Sequence, residues 1–252
     1  QQQCLPKLSA LERYADVDLS LTLHLIGQLH KRQGQYNKAL DAYRISAKGM
    51  RYALGNNHPN VAAILGNIGN LLRLMGDCDG AYDTYQEVLG IESKRLGVAH
   101  PEVAVSLHNV AMIQADRQNY EQALNIYDKV LALQKKLFGE NHIAVATTAA
   151  AMGDVYERND NLEKSLQYFE EAMKIKSKVL RHHDLQVARL MHKLGKTLSR
   201  MGDFDAARSY TNRVLLIYKI NSLKDDHEWV IDVYRDQADI DAAIATGFGK
   251  KS

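Results

Sequence analysis

The sequence HPEVA at residues 100–104 decides the fold of this 252-residue chain, because close copies of it recur every 42 residues. HPNVA at 58–62 precedes it by one interval, and HIAVA at 142–146 follows it. The same interval extends the pattern to weaker copies, DVDLS at 16–20 and DLQVA at 184–188. A constant period of this length predicts stacked structural repeats, in which each unit buries its apolar face only against its neighbours.

The first half of each repeat is predicted to be an α-helix, because its apolar residues follow one another at offsets of four, three and four. Glycine costs about 1 kcal/mol relative to alanine within a helix, so a recurring glycine predicts close approach by a neighbouring helix. Two apolar columns and the small column beside them are Leu19/Val61/Val103/Val145/Val187, Ile26/Ile68/Val110/Met152/Leu194 and Gly27/Gly69/Ala111/Gly153/Gly195.

The second half of each repeat predicts another helix, so every unit becomes a helical hairpin. A small residue is followed four positions later by a ring in four of the five repeats. These columns are Ala39/Ala81/Ala123/Ser165/Ala207 and Tyr43/Tyr85/Tyr127/Phe169/Thr211. Propellers built of β-strands have a similar period, but the helical spacing excludes them.

The recurring histidine is predicted to cap the first helix rather than to bind a metal. Aspartate replaces it in some repeats and is a good N-cap, and the proline that follows suits the first helical turn. Equivalent histidines lie two helices apart, which is too far to share a zinc ion. His182-His183-Asp184 likewise has no companion ligands at metal spacing. The cap column is Asp16/His58/His100/His142/Asp184/Asp226, and left-handed turns between the two helices are predicted at Gly34, Gly76, Gln118, Asp160 and Gly202.

The domain organisation follows from the period. Residues 1–15 are interpreted as an N-terminal segment that includes the remnant of a preceding helix, and residues 245–252 are predicted to be a disordered tail. Residues 226–244 restart the pattern and are predicted to form a capping helix with Trp229, Val230, Val233 and Tyr234 packed inward. The five repeats are predicted at 16–57, 58–99, 100–141, 142–183 and 184–225.

Composition excludes several classes of function. The formal charge of +2 gives no general case for nucleic acid or anionic membrane, and no apolar run is long enough to cross a bilayer. No phosphate-binding glycine loop, carboxylate pair or nucleophile pattern can be placed on the helices, so we expect no enzyme and no cofactor. The two cysteines, Cys4 and Cys78, favour a reducing, cytoplasmic compartment, although a chain that starts at Gln1 leaves a cleaved targeting peptide open.

The repeat resembles the tetratricopeptide repeat, in which a small residue stands twelve positions before the alanine of the second helix, as Ala111 stands before Ala123. The greater length, with the junction Leu96-Gly97-x-x-His100-Pro101, resembles the 42-residue repeats of kinesin light chain and nephrocystin-3. HEAT and armadillo arrays lack these small and ring columns. The resemblance, over residues 16–225, implies an all-α fold, a right-handed α-solenoid of helical hairpins known as the TPR superhelix.

The resemblance also implies a non-enzymatic scaffold or adaptor. In such arrays the first helices line a concave groove that takes a peptide segment or a partner helix, and asparagines in the kinesin-light-chain pattern hold the peptide backbone. Basic first and fifth units suggest a ligand with acidic residues near the fifth unit. The implied partner-binding residues are Gln28, Lys31, Asn67, Asn70, Arg73, His108, Asn109, Met112, Asp154, Glu157, Arg158, Arg189, His192, Lys193, Lys196 and Arg200.

Two other interpretations stay open at this point. The chain could be a structural subunit, fixed in a larger assembly through its convex face or its ends. Binding of nucleic acid through the basic fifth unit is a weaker alternative, because that unit lacks interleaved aromatic residues for base stacking. The sequence names neither the partner nor the pathway.

Overall fold

The computed structural model describes the backbone of residues 10–246 and the side chains of residues 16–246. This part of the chain consists of eleven α-helices and contains no β-strand. The helices are α1 (Ala10–Arg32), α2 (Tyr36–Leu54), α3 (Pro59–Leu74), α4 (Cys78–Leu96), α5 (Pro101–Asp116), α6 (Tyr120–Phe138), α7 (Ile143–Arg158), α8 (Leu162–Val179), α9 (Leu185–Met201), α10 (Phe204–Ile220) and α11 (Glu228–Ala245).

The helices group into two compact units, residues 1–126 and residues 127–252, with the boundary inside α6. In the N-terminal unit, α1 packs on α2 and α3 on α4, and these hairpins are joined by contacts of α2 with α3 and of α4 with α5. The core of this unit includes the fully buried side chains of Tyr43, Met50, Leu71 and Ile113.

The C-terminal unit repeats this arrangement. Hairpins form between α7 and α8 and between α9 and α10, and α8 contacts α9 while α10 contacts α11. One core cluster surrounds Phe169 and Ala149, and a second surrounds Val214 and Tyr218. The first helices α3 and α9 therefore each have their own second helix on one side and the preceding second helix on another.

The small column is explained by a ring rather than by helix backbone. A Cβ atom on Gly69 would lie 2.7 Å from the Tyr85 ring, and one on Gly153 would lie 2.6 Å from the Phe169 ring. Glycine leaves room at these positions for the aromatic side chain of the second helix, which packs directly against the first helix, whereas the third repeat has Ala111 in this column. Gly195 is less confined, with its nearest neighbour at 3.2 Å, because the fifth repeat has threonine in the ring column.

The predicted capping function of the histidine column is confirmed in the middle repeats. The Nδ1 atoms of His58, His100 and His142 each accept a hydrogen bond from the backbone N–H two residues ahead, at 3.2, 3.2 and 3.1 Å. The Asp184 carboxylate does the same at 2.7 Å. These side chains therefore satisfy one of the free N–H groups of each first turn.

The predicted caps were wrong at the two ends of the pattern. Asp16 lies inside α1, which is already helical at Ala10, so it caps nothing. The cap of α11 is His227 and not Asp226, because the last copy of the pattern is displaced by one residue. That displacement also puts Val230, and not Trp229, in the buried valine column.

The hairpin turns take the predicted left-handed conformation. Gly34, Gly76 and Gly202 have φ between 71° and 87°, and Gln118 and Asp160 have φ of 64° and 57° at the matching positions. Non-glycine residues adopt this conformation at some cost, so the turn is imposed by the packing of the two helices on either side.

Some residues expected in the core are exposed instead. Leu19 and Ile26 on α1 are exposed because no described helix covers this side of the first repeat. In α11, Val230 and Val233 are buried and Trp229 is half-buried as expected, whereas Tyr234 is exposed. Of the predicted N-terminal segment, residues 10–15 belong to α1 and not to a separate preceding helix, whereas residues 1–9, like residues 247–252 of the predicted tail, lie outside the described residues.

Candidate functional site

The first helices of the N-terminal unit present a row of amide side chains. Gln28 lies on α1, Asn67 and Asn70 on α3, and Asn109 on α5, and all four are half-buried. The Asn67 amide donates to the Ala63 carbonyl at 3.2 Å. Within the described part of the chain, the amides of Asn70 and Asn109 make no hydrogen bond, so their donors and acceptors are available to a ligand.

Two histidines on these helices are held in the neutral form. Burial lowers the pKa of His108 to about 4 and also lowers the pKa of His24. The His24 Nε2 atom lies 2.9 Å from Gln28 Nε2 and 3.5 Å from Asn67 Nδ2. His108 is therefore less accessible to a partner than the sequence suggested, whereas His24 links the amides of α1 and α3.

The charged groups at the C-terminal ends of α3 and α5 pair with each other. Arg73 Nη1 donates to the Asp116 carboxylate at 2.8 Å, and about a quarter of each side chain is exposed. Lys31 on α1 and Met112 on α5 are half-buried beside the amide row. The first-helix face of the N-terminal unit, defined as Gln28, Asn67, Asn70, Asn109 and Met112, is consequently polar but nearly uncharged.

The corresponding face of the C-terminal unit is crossed by ion pairs. Lys193 Nζ on α9 lies 2.6 Å from the Asp154 carboxylate on α7. Arg200 on α9 binds the Glu157 carboxylate at 3.3 Å and the Asp160 carboxylate at 2.8 Å. These pairs join consecutive first helices, because the opposite charges are separated by about one repeat in sequence.

The capping helix α11 adds two more contacts to α9. His192 Nε2 lies 2.7 Å from the Asp236 carboxylate, and the Arg189 guanidinium lies 4.7 Å from the centre of the Trp229 ring. Arg158 and Lys196 are exposed. Three of the basic residues that made the fifth repeat look like an anion site, His192, Lys193 and Arg200, are thus matched by carboxylates of α7 and α11.

Sequence reasoning missed the partners Asp160, Asp236 and Trp229. The signal was present, because Lys193 and Arg200 each have a carboxylate close to one repeat earlier in the chain. His192 and Asp236 are 44 residues apart, and this separation departs from the 42-residue period because the pattern is displaced by one residue before α11.

Neither metal sites nor membrane spans are found in the described part of the chain. No group of three His, Cys, Asp or Glu side chains in residues 16–246 is arranged to hold a metal ion. None of the helices in that range combines the length and the apolar character needed to cross a bilayer.

Several solved structures share this fold at low sequence identity. BtubC (BKLC) from P. vanneervenii has a TM-score of 0.69 and 21% identity over 88% of this chain and 96% of its own. Kinesin light chain nearly identical TPR-like repeats from Podosopora anserina have a TM-score of 0.66 and 19% identity over 83% of this chain and 99% of theirs. A Rap protein complexed with competence and sporulation factor has a TM-score of 0.68 and 15% identity, and the match covers 84% of this chain and 56% of the Rap chain.

Sequence comparison identifies the repeat itself. The comparison with curated proteins found no match. The sequence profile described as the tetratricopeptide repeat matches residues 18–94, 102–178 and 145–220. The all-α fold is that of a TPR solenoid, similar to kinesin-light-chain repeats, and proteins with this fold generally act as protein-interaction scaffolds. The chain belongs to the tetratricopeptide repeat family.

Proposed function

We propose that this protein is a non-enzymatic scaffold or adaptor that binds a peptide segment or helix of a partner protein on the first-helix face of the N-terminal unit. The observation that carries the proposal is the row of amides on α3 and α5, in which Asn70 and Asn109 make no hydrogen bond within the described residues. A half-buried amide that makes no hydrogen bond within the protein keeps its donors and its acceptor for solvent or for a ligand.

An amide row suits the backbone of a bound segment. Each amide offers a donor and an acceptor together, so it can pair with a peptide group whatever side chain the ligand carries there. One such hydrogen bond contributes about 0.5–1.5 kcal/mol net, and useful affinity needs several of them together with apolar contacts. Met112, half-buried beside the row, supplies a flexible apolar surface for such a contact.

Charge has a smaller role in this proposal than the sequence indicated. Arg73 is neutralised by Asp116, and Lys193 by Asp154. A preference for acidic ligand residues near the fifth repeat then depends on Arg189 and Lys196 of α9, which form no ion pair within residues 16–246. The similarity to a Rap protein complexed with a factor supports a ligand-binding use of this fold and does not identify the ligand. We propose the cytoplasm as the compartment.

The proposal is tested by selecting binders from a display library of random peptides on the immobilised protein. Asn67→Ala/Asn109→Ala should weaken the selected peptides about tenfold or more, because two hydrogen bonds are lost. The matched control is Asn37→Ala/Asn125→Ala, which removes two exposed asparagines from the second helices α2 and α6. Equal affinity for the first variant and the wild type would reject the first-helix face.

The alternative of a structural subunit makes the opposite prediction. If the protein is fixed in an assembly through its second helices, the control variant loses the partner while Asn67→Ala/Asn109→Ala keeps it; if it is fixed through its ends, both variants keep the partner. Nucleic-acid binding predicts affinity for RNA or DNA that falls steeply with salt.

A further inference from the structure

The first helix has an apolar face that no other described helix covers. α1 packs against α2 through the adjacent side, where Ser20 and Gly27 are buried. The equivalent face of α3 is buried because α2 lies on it. The exposed fractions are 59% for Leu19, 39% for Ile26 and 55% for Leu29, against 0% for Val61, 6% for Ile68 and 0% for Leu71 at the same positions one repeat later.

The spacing of this face is that of a two-helix seam. Leu19, Thr22, Ile26 and Leu29 follow one another at offsets of three, four and three, which are the a and d positions of a heptad repeat. Thr22 is compatible with an apolar contact, because its hydroxyl already donates to the Asp18 backbone carbonyl at 2.8 Å. We call these four residues the α1 seam.

The charges beside the α1 seam determine which helix fits it. Asp18, Leu25 and Arg32 follow one another at heptad spacing along one edge, and all three are exposed. Asp16 and His30 occupy the matching positions on the other edge. Two carboxylates thus flank the first half of the seam, and the Arg32 guanidinium and the His30 ring flank the second half.

This distribution is self-complementary in the antiparallel orientation. Placing two copies of α1 head to tail puts Asp18 of each beside Arg32 of the other, Asp16 beside His30, and Leu25 beside its own equivalent. In a parallel arrangement Asp18 would instead lie beside Leu23 of the other copy, and its pairing with Arg32 would be lost. The contact would be isologous, and it would close at two copies.

We propose that the α1 seam is the contact surface of an antiparallel homodimer of this protein. The occupant is a second copy of α1, chosen by the charge complementarity of its own two halves. The core of the contact is Leu19, Ile26 and Leu29, none of which belongs to the first-helix face of the N-terminal unit, so the proposal does not depend on ligand binding there.

The test is the mass of the full 252-residue chain in solution. Sedimentation velocity at about 100 µM should give twice the monomer mass, a concentration at which even weak association is visible. Leu19→Glu/Leu29→Glu should raise the dissociation constant about 100-fold or more, because it places four carboxylates in the seam. The matched control, Ile45→Glu/Leu216→Glu, replaces residues that are 57% and 58% exposed on α2 and α10, and it should stay dimeric.

Charge reversal tests the orientation. Asp18→Arg and Arg32→Asp alone should each weaken the dimer about tenfold, and the double reversal should restore it to within about threefold, as expected of a contacting charge pair. Circular dichroism of every variant checks that the helices persist.

A monomeric wild type would overturn the proposal, as would a dimer that survives Leu19→Glu/Leu29→Glu. A monomer that dimerises only after removal of residues 1–9 would also contradict it, since that segment and not a second copy would then occupy the seam. If the control variant dissociates the dimer, the contact lies elsewhere on the protein, and the proposal is wrong.

Discussion

The helices α5 and α9 occupy equivalent places two repeats apart, yet the same two positions do different things in them. The first position is His108 in α5 and His192 in α9, and the second is Asn109 in α5 and Lys193 in α9. Burial holds His108 neutral at pH 7, whereas His192 lies 2.7 Å from the Asp236 carboxylate. The Asn109 amide makes no hydrogen bond within residues 16–246, while Lys193 pairs with Asp154.

The difference separates two kinds of position in the repeat. Residues that recur, such as Gly69 and Gly153, are fixed by a ring that packs on them. Residues that change, such as Asn109 and Lys193, lie on the first-helix faces, where no packing requirement fixes them. Free amides in one unit and internal ion pairs in the other make α3 and α5 the better candidates for holding a ligand.

The largest expected effect concerns the histidine position. Burial lowers the pKa of His108 from 6.5 to about 4, so the unfolded chain binds a proton in a pH range where the folded protein does not. The stabilisation is therefore complete above pH 6.5 and is lost as the pH falls towards 4. This group alone should lower the free energy of unfolding by about 2 kcal/mol between pH 7.5 and pH 5.

Urea unfolding at several pH values checks this prediction. His108→Gln should flatten the pH dependence, and the matched variant His192→Gln should leave the contribution of His108 in place. If the free energy of unfolding of His108→Gln depends on pH as strongly as that of the wild type, burial does not hold His108 neutral.

The second prediction concerns two glycines of α3. A methyl group on Gly69 would meet the Tyr85 ring at 2.7 Å, whereas nothing lies within 4 Å of the Cβ position of Gly66. Gly69→Ala should destabilise the protein by about 1 kcal/mol, because overpacking exceeds the gain in helix propensity. Gly66→Ala should stabilise it by up to about 1 kcal/mol. Equal thermal shifts in the two variants would contradict the packing explanation of the repeated column.

The smallest expected effect concerns the ion pairs of the C-terminal unit. Lys193 and Asp154 have side chains that are 38% and 40% exposed, so solvent screens their attraction. A double-mutant cycle with Lys193→Met and Asp154→Asn should give a coupling of about 0.5 kcal/mol, reduced further in 1 M salt. Arg73 and Asp116 in the N-terminal unit are less exposed and should couple more strongly. The reverse order would show that burial does not govern these pairs.

Much of the fold could be predicted from the sequence, because packing repeats. The columns of valine, glycine and aromatic residues gave the helical hairpins, and His58, His100 and His142 gave the helix starts. The errors lie in the first repeat and in the last copy of the pattern, which lack a neighbouring repeat on one side. Asp16 lies inside a helix, Leu19 is exposed, and one extra residue before His227 moves the last copy of the pattern.

The candidate site was less predictable, for a physical reason. The sequence placed the polar residues on the first helices but could not show which of them pair with each other. From the sequence, Lys193 and Arg200 are expected to be unpaired cations, whereas in the structure they pair with the carboxylates of Asp154 and Glu157. The burial of His108 could not be predicted either, since it depends on contacts with residues of other helices.

The most direct test of the central claim follows the side-chain amide signals of the asparagines by NMR while a peptide selected on the immobilised protein is added. If the first-helix face of the N-terminal unit binds the peptide, the side-chain signals of Asn67, Asn70 and Asn109 should shift in proportion to occupancy, and those of Asn37 and Asn125 on second helices should stay fixed. Shifts confined to Asn37 and Asn125 would contradict the account.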